Sequence, residues 1–190
     1  MRQFIASAIV NGNEVQLVKE RNKYFIYWGE SSTDSRTETE LLTLKENPVK
    51  ESDAIKQFLE AIGHRESSNN YSVVNEFGYM GRYQFGKATL KGLGIDVTKE
   101  EFINDHRLQE RAMHMLLSHN QKKLKRYIKK YDGKIVHGIL ITESGILAAA
   151  HLAGQGNVRK FLKNGFVFED GNGTKMTSYM KQFGGYILNL

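Results

Sequence analysis

A carboxylate on the apolar face of a helix calls for a physical account, and Glu66 is such a residue. Ile55, Phe58, Leu59 and Ile62 recur at helical spacing. If that helix continues past Ile62, Glu66 falls on the same face, eleven, seven and four residues after Ile55, Leu59 and Ile62. Partial desolvation and the negative end of the helix dipole both disfavour its ionised form there. The spacing therefore predicts a raised pKa and a proton held at neutral pH, which is what a general acid needs. Gly63 is the competing signal, because it could end the helix early and leave Glu66 as a capping or exposed glutamate. Other chemistry is harder to build. His64, His106, His114, His119 and His137 form no metal set, and the five-residue step between His114 and His119 is wrong for neighbouring ligands on one helical face. There is no cysteine, so disulfides, thiol catalysis and cysteine-metal sites are excluded. No phosphate-cradling loop or Gly-x-Ser-x-Gly elbow occurs, and no metal or cofactor is expected.

Three segments extend the reading. Gly63-His64-Arg65-Glu66-Ser67-Ser68 is followed by Gly78-Tyr79-Met80-Gly81-Arg82-Tyr83-Gln84-Phe85, and then by Leu147-Ala148-Ala149-Ala150-His151-Leu152-Ala153-Gly154-Gln155-Gly156-Asn157-Val158. In order and spacing they resemble three motifs of the soluble lytic transglycosylases, glycoside hydrolase family 23 of the lysozyme superfamily. Those motifs are a Glu-Ser pair closing a helix, a Gly-x-x-Gly-x-x-Gln turn and an Ala-Tyr-Asn-Ala-Gly-x-Gly-x-Val segment. The resemblance implies a peptidoglycan-cleaving enzyme, a lytic transglycosylase or lysozyme-like muramidase. Its Glu66 would protonate the β-1,4 glycosidic oxygen between N-acetylmuramic acid and N-acetylglucosamine and then act as base. It also implies that Ser67 orients the glutamate or the substrate, and that Gly78, Met80, Gly81, Tyr83 and Gln84 form a turn beside the cleft. Gln84 is the member expected to hydrogen-bond substrate or glutamate; Met80 and Tyr83 either contact substrate or pack in the core. The third segment departs from the family, with His151 and Leu152 where Tyr-Asn usually stands. His151 then either replaces the tyrosine hydroxyl beside the carboxyl or is a satisfied core histidine.

The product depends on a second carboxylate. Inverting hydrolysis places one roughly 6.5 to 9.5 Å from the acid, and retention through a covalent intermediate places one at roughly 5 to 5.5 Å. The resembled family needs neither, since substrate groups assist and the sugar's 6-hydroxyl closes a 1,6-anhydro ring. Glu76 and Glu143 are the available second carboxylates; Asp105 and Asp132 read better as a helix cap and a turn residue. Glu143 also reads as a first-turn acid of an Ala-rich helix. The alternative function is a non-catalytic module that holds glycan in a phage tail or secretion apparatus, favoured by the changes at His151 and Leu152 and opposed by the intact Glu66-Ser67 pair.

The elements that must position these residues follow from patterning. The chain of 190 residues, 40% hydrophobic and 25% charged, suits one globular domain with a small appendage. Residues 1–47 read as a small β-rich region. Strands are expected at Gln3–Val10, Glu14–Lys19 and Lys23–Trp28, and a weaker one at Thr37–Leu44, with turn formers at Asn11-Gly12-Asn13 and Arg21-Asn22. Near Pro48 the hydrophobic period changes from about two to about 3.6. Residues 48–190 are then expected to form a mainly α-helical, lysozyme-like domain, giving an α+β chain overall. The first helix has Ser52 or Asp53 as N-cap, and a long helix runs from about Asp105 to Tyr131. The Gly- and aromatic-rich stretch Ser68 to Gly94 is expected to be irregular structure or short strands, reading as a groove wall. The Ala/Gly segment Gly145–Gly156 should let another backbone come close, and a short helix spans about Met176 to Phe183.

The net charge of +6 and pI near 9.4 favour anionic partners without choosing among them. Lys122, Lys123, Lys125, Arg126, Lys129 and Lys130 follow the polar face of the long helix, which reads as a solvated face. Nucleic-acid binding would rest on charge and aromatics alone, and no nucleic-acid partner is expected. No run is long and apolar enough to span a membrane. The expected partner is the glycan strand, met by a monomer in the cell wall, periplasmic or extracellular. Met1–Val10 lacks a signal-peptide layout, which leaves the export route open between a leader outside the given sequence and exit by lysis, a holin-like route or a dedicated secretion machine.

Overall fold

The computed structural model describes residues 2–10, 13–20, 23–29, 51–188 and 190, with side chains for residues 54–188 and 190. The chain divides into two units, Met1–Lys50 and Glu51–Leu190, where the change of period pointed to residue 47. The class is α+β and mainly helical. In the first unit, strands β1 (Arg2–Val10), β2 (Asn13–Glu20) and β3 (Lys23–Gly29) form one antiparallel sheet in the order β1-β2-β3. The register sets Val10 opposite Asn13 and Glu20 opposite Lys23, so the strands stop where the turn formers stand. The expected strand at Thr37–Leu44 and the residues around Pro48 lie outside the described residues.

The second unit opens with α1 (Glu51–Ser67) and continues through α2 (Lys87–Gly92), α3 (Lys99–Asn104) and α4 (His106–Tyr131). A two-residue hairpin of β4 (Ile135–Val136) and β5 (Ile139–Leu140) leads to α5 (Glu143–Asn164) and α6 (Met176–Gln182). Because α1 starts at Glu51, Ser52 and Asp53 lie in its first turn and are not the N-cap, a shift of the size that fraying helix ends commonly show. Elsewhere the caps follow sequence chemistry. Asp105 accepts from the Leu108 amide at 2.9 Å, and Thr98 and Glu101 form a capping box.

Helix α1 runs straight through Gly63 for a packing reason. A Cβ there would sit 2.6 Å from the Arg82 Nε and 2.4 Å from the Asn69 side-chain oxygen, so glycine makes room for Arg82 and does not end the helix. The apolar stripe of α1 is buried, with Phe58 and Ile62 both fully so; burial of such a side chain contributes about 1.5–3 kcal/mol. At the centre of the core lies the first half of α5, where Ser144 through Ala150 are all buried. Its small residues admit α6 closely: a Cβ on Gly145 would stand 2.6 Å from the Met180 carbonyl oxygen. Helix α5 is broken at Gly154, whose φ of 74° and ψ of 154° lie outside the helical region.

Candidate active site

Glu66 occupies the last turn of α1, with its side chain 13% exposed. Two elements remote in sequence converge on it. His151, near the end of the first half of α5, brings Nε2 to 3.5 Å from Glu66 Oε1, and its own side chain is only 6% exposed. Tyr179, from α6, donates its hydroxyl to the same Oε1 at 2.7 Å. Both contacts fall on one carboxylate oxygen, so Oε2 has neither of these donors. The Phe85 ring meets the His151 imidazole edge to face at 5.9 Å, while His151 Nδ1 is buried with no hydrogen-bond partner. Arg65 lies over the Tyr179 ring, 5.8 Å from its centroid.

The electrostatics correct the expectation of a raised Glu66 pKa. Burial is the largest single influence and does push it up. The hydrogen bond and charge of His151, then the Tyr179 hydroxyl and the Arg65 charge, together outweigh burial and hold the carboxyl below its ordinary value. The helix register predicted the desolvation correctly and could not predict the donors. Tyr179 is pushed the other way, by burial first and then by the adjacent Glu66 charge, so its hydroxyl stays protonated and donates.

The other residues singled out by sequence fall into distinct places. Ser67 does not touch the Glu66 carboxyl. Its Oγ donates to the Arg82 carbonyl at 2.8 Å and accepts from the Asn70 amide at 3.0 Å, tying the following loop to α1. Gly78 and Gly81 both have positive φ, and so does Gln84, at 49°, which gives the expected turn. Gln84 spends its amide nitrogen on the Gly81 carbonyl at 2.9 Å and does not reach the glutamate. Met80 and Tyr83, 5% and 0% exposed, lie in the core, the packing alternative of the two expected for them. A buried phenol needs a partner, and Tyr83 donates to Glu110 at 2.8 Å. Glu143 is a first-turn acid of α5 that accepts from Gln121 at 2.9 Å. Glu76 is exposed, and no hydrogen bond or ion pair joins it to Glu66.

Sequence reasoning missed Tyr179 and the assembly around Arg82. The Arg82 guanidinium forms ion pairs with Glu60 and Glu110 and hydrogen bonds to Asn69 at 2.8 Å and Tyr71 at 3.0 Å. Gln109 accepts from the Arg82 amide at 2.9 Å and donates to the Tyr71 carbonyl at 3.0 Å. A buried tyrosine in the helical pattern Met176, Tyr179, Met180, Phe183 was the available signal, since its hydroxyl had to be satisfied somewhere. Among the described residues no group of three His, Asp or Glu side chains is arranged to hold a metal ion, and no helix is long and apolar enough to cross a membrane. Comparison of the chain with known protein families, with curated proteins and with solved structures finds no match.

Proposed function

We propose that this protein is a peptidoglycan-cleaving glycosidase with a lysozyme-like catalytic domain in residues 51–190, and that Glu66 is its general acid and base. The observation that carries the reading is the Glu66 carboxyl, mostly buried, with one oxygen held by His151 and Tyr179 and the other without those donors. It joins the resemblance of three ordered segments to the transglycosylase motifs, two of which supply Glu66 and His151. A carboxylic acid anchored through Oε1 carries its proton on Oε2. From there the proton passes to the glycosidic oxygen as the C1–O bond breaks, and the resulting carboxylate takes a proton from the attacking hydroxyl or water.

In the free protein Glu66 is a carboxylate at neutral pH, by the direction of its shift. A glycan strand laid over it removes the remaining water and favours the neutral form, so the reactive acid belongs to the complex. A module that holds glycan without cutting it is the second reading, favoured by that ionised resting state and by the histidine in the third segment.

The decisive experiment incubates wild type and Glu66→Gln with purified peptidoglycan and identifies released fragments by mass spectrometry. The expected outcome is release by the wild type alone, with anhydro-muropeptides marking a transglycosylase and reducing ends a hydrolase. If neither protein releases fragments while both bind sacculi, the enzyme reading is lost and the binding module replaces it.

A further inference from the structure

Beyond the break at Gly154, the helix that carries His151 turns into a cationic strip lined up with α4. Arg159 lies in the seam between the two. Its Nη2 donates to the Gln155 side-chain oxygen at 2.7 Å and approaches the Lys123 carbonyl at 3.4 Å, while its Nε is buried without a partner. No carboxylate lies within ion-pair distance of it among the described residues. The sequence makes this a property of the whole seam, since neither Arg111–Tyr131 nor Ser144–Phe168 contains an aspartate or glutamate. Neighbouring cations rest on aromatic faces instead of carboxylates: Lys163 Nζ is 6.0 Å and the Arg126 guanidinium 5.3 Å from the centroid of the Tyr127 ring. The Gln155 amide nitrogen and His119 Nε2 are 3.3 Å apart.

A partly buried guanidinium with a free buried donor and no counter-ion is an incomplete anion site. We propose that this seam, centred on Arg159 and flanked by Lys163 and Lys123, binds the free carboxylates of the peptide stems carried by the glycan strand at Glu66. The proposal rests on the reading of Glu66 as a glycan-cleaving centre. Two features favour stem carboxylates as the occupant. A guanidinium pairs well with a carboxylate, and Arg159 stands eight residues after His151 in α5, beyond the break at Gly154.

The test compares native sacculi with sacculi whose free carboxylates have been converted to carboxamides, which keeps size and removes charge. Wild type should show a KM about tenfold higher on the amidated strands with little change in kcat, the size of one charge-assisted hydrogen bond. Arg159→Gln should show that higher KM on both substrates, and Lys163→Gln, a change at an exposed position, should show part of it. Equal KM values for wild type on the two substrates, or unchanged KM for both variants, overturn the proposal. Sedimentation of Glu66→Gln with each kind of sacculus, with and without Arg159→Gln, reads the seam separately from catalysis. If no strand is cut by the wild type, the glycosidase reading fails, while charge-dependent binding lost with Arg159 still upholds the seam. Tighter binding to double-stranded DNA than to native sacculi, lost in Arg159→Gln, assigns the seam to nucleic acid and overturns the stem assignment.

Discussion

Two polar clusters meet the end of α1, and they are built on opposite principles. Around Arg82 every kind of donor has an acceptor: two carboxylates, an asparagine and a tyrosine take the guanidinium, Gln109 takes its amide, and Ser67 donates to its carbonyl. Around Glu66 the satisfaction is partial, with Oε1 held twice and His151 Nδ1 buried without a partner. A fully satisfied buried network fixes a fold, because breaking any member leaves a desolvated group unpaired. A network left incomplete in an otherwise well-packed core reserves capacity for something else to bind or react. The loop with the more polar side chains is thus the fully satisfied one, and the site facing apolar Phe85 is the one proposed to do chemistry.

The comparison is broken most directly by exchanging the roles. Glu66→Gln should lower fragment release by about a thousandfold or more while the protein stays folded. Arg82→Met should cost about 1–2 kcal/mol of stability in denaturant unfolding, because it removes the hydrogen bonds to Glu110, Tyr71 and Asn69, yet lose far less activity per folded molecule. An Arg82→Met protein as stable as the wild type would remove the distinction between the clusters.

The pH dependence sharpens it next. The acid must be protonated to act, so activity falls on the basic side. The lowered Glu66 value in the free protein puts that limb of kcat/KM at lower pH than the limb of kcat, which reports the complex. His151→Gln removes the leading influence that lowers Glu66 and should move the kcat/KM limb upward; Tyr179→Phe should move it the same way by less. Initial rates across a pH series on soluble glycan fragments check all three proteins.

Stability carries the same sign. A carboxyl whose folded value lies below its unfolded 4.5 contributes stability above that value and loses it as pH falls through the lowered one. The stability gap between wild type and Glu66→Gln, followed by denaturant unfolding from about pH 7 to about pH 3, should therefore narrow toward acid. The smallest expected effect belongs to Tyr83→Phe. It should leave cleavage kinetics near wild type and cost about 1 kcal/mol of stability, because its hydroxyl donates to Glu110 within the core.

Much of this architecture was legible in advance wherever the cause is local. The period of Ile55, Phe58, Leu59 and Ile62 placed Glu66 on the buried face of α1, and Asp105 marked the start of α4. The small residues of α5 foretold the close approach of Met180. Gly63 misled because a glycine that ends a helix and one that admits a neighbouring side chain look alike in sequence; the Arg82 side chain decided between them. Tyr83 and Gln84 stood in the right turn, but which way a turn residue faces is set by packing, and one went to the core and the other to the turn's own carbonyl.

By itself the sequence determined the helix and strand periods, the face that carries Glu66, and the segregation of cations onto the α4 and α5 segments, since each follows from neighbours a few positions apart. The tertiary structure alone decided the partners of the carboxyl and the sign of its pKa shift. Tyr179 stands 113 positions from Glu66, and an effect that depends on donors within a few ångströms has no trace in local spacing. Only chain closure brings them together.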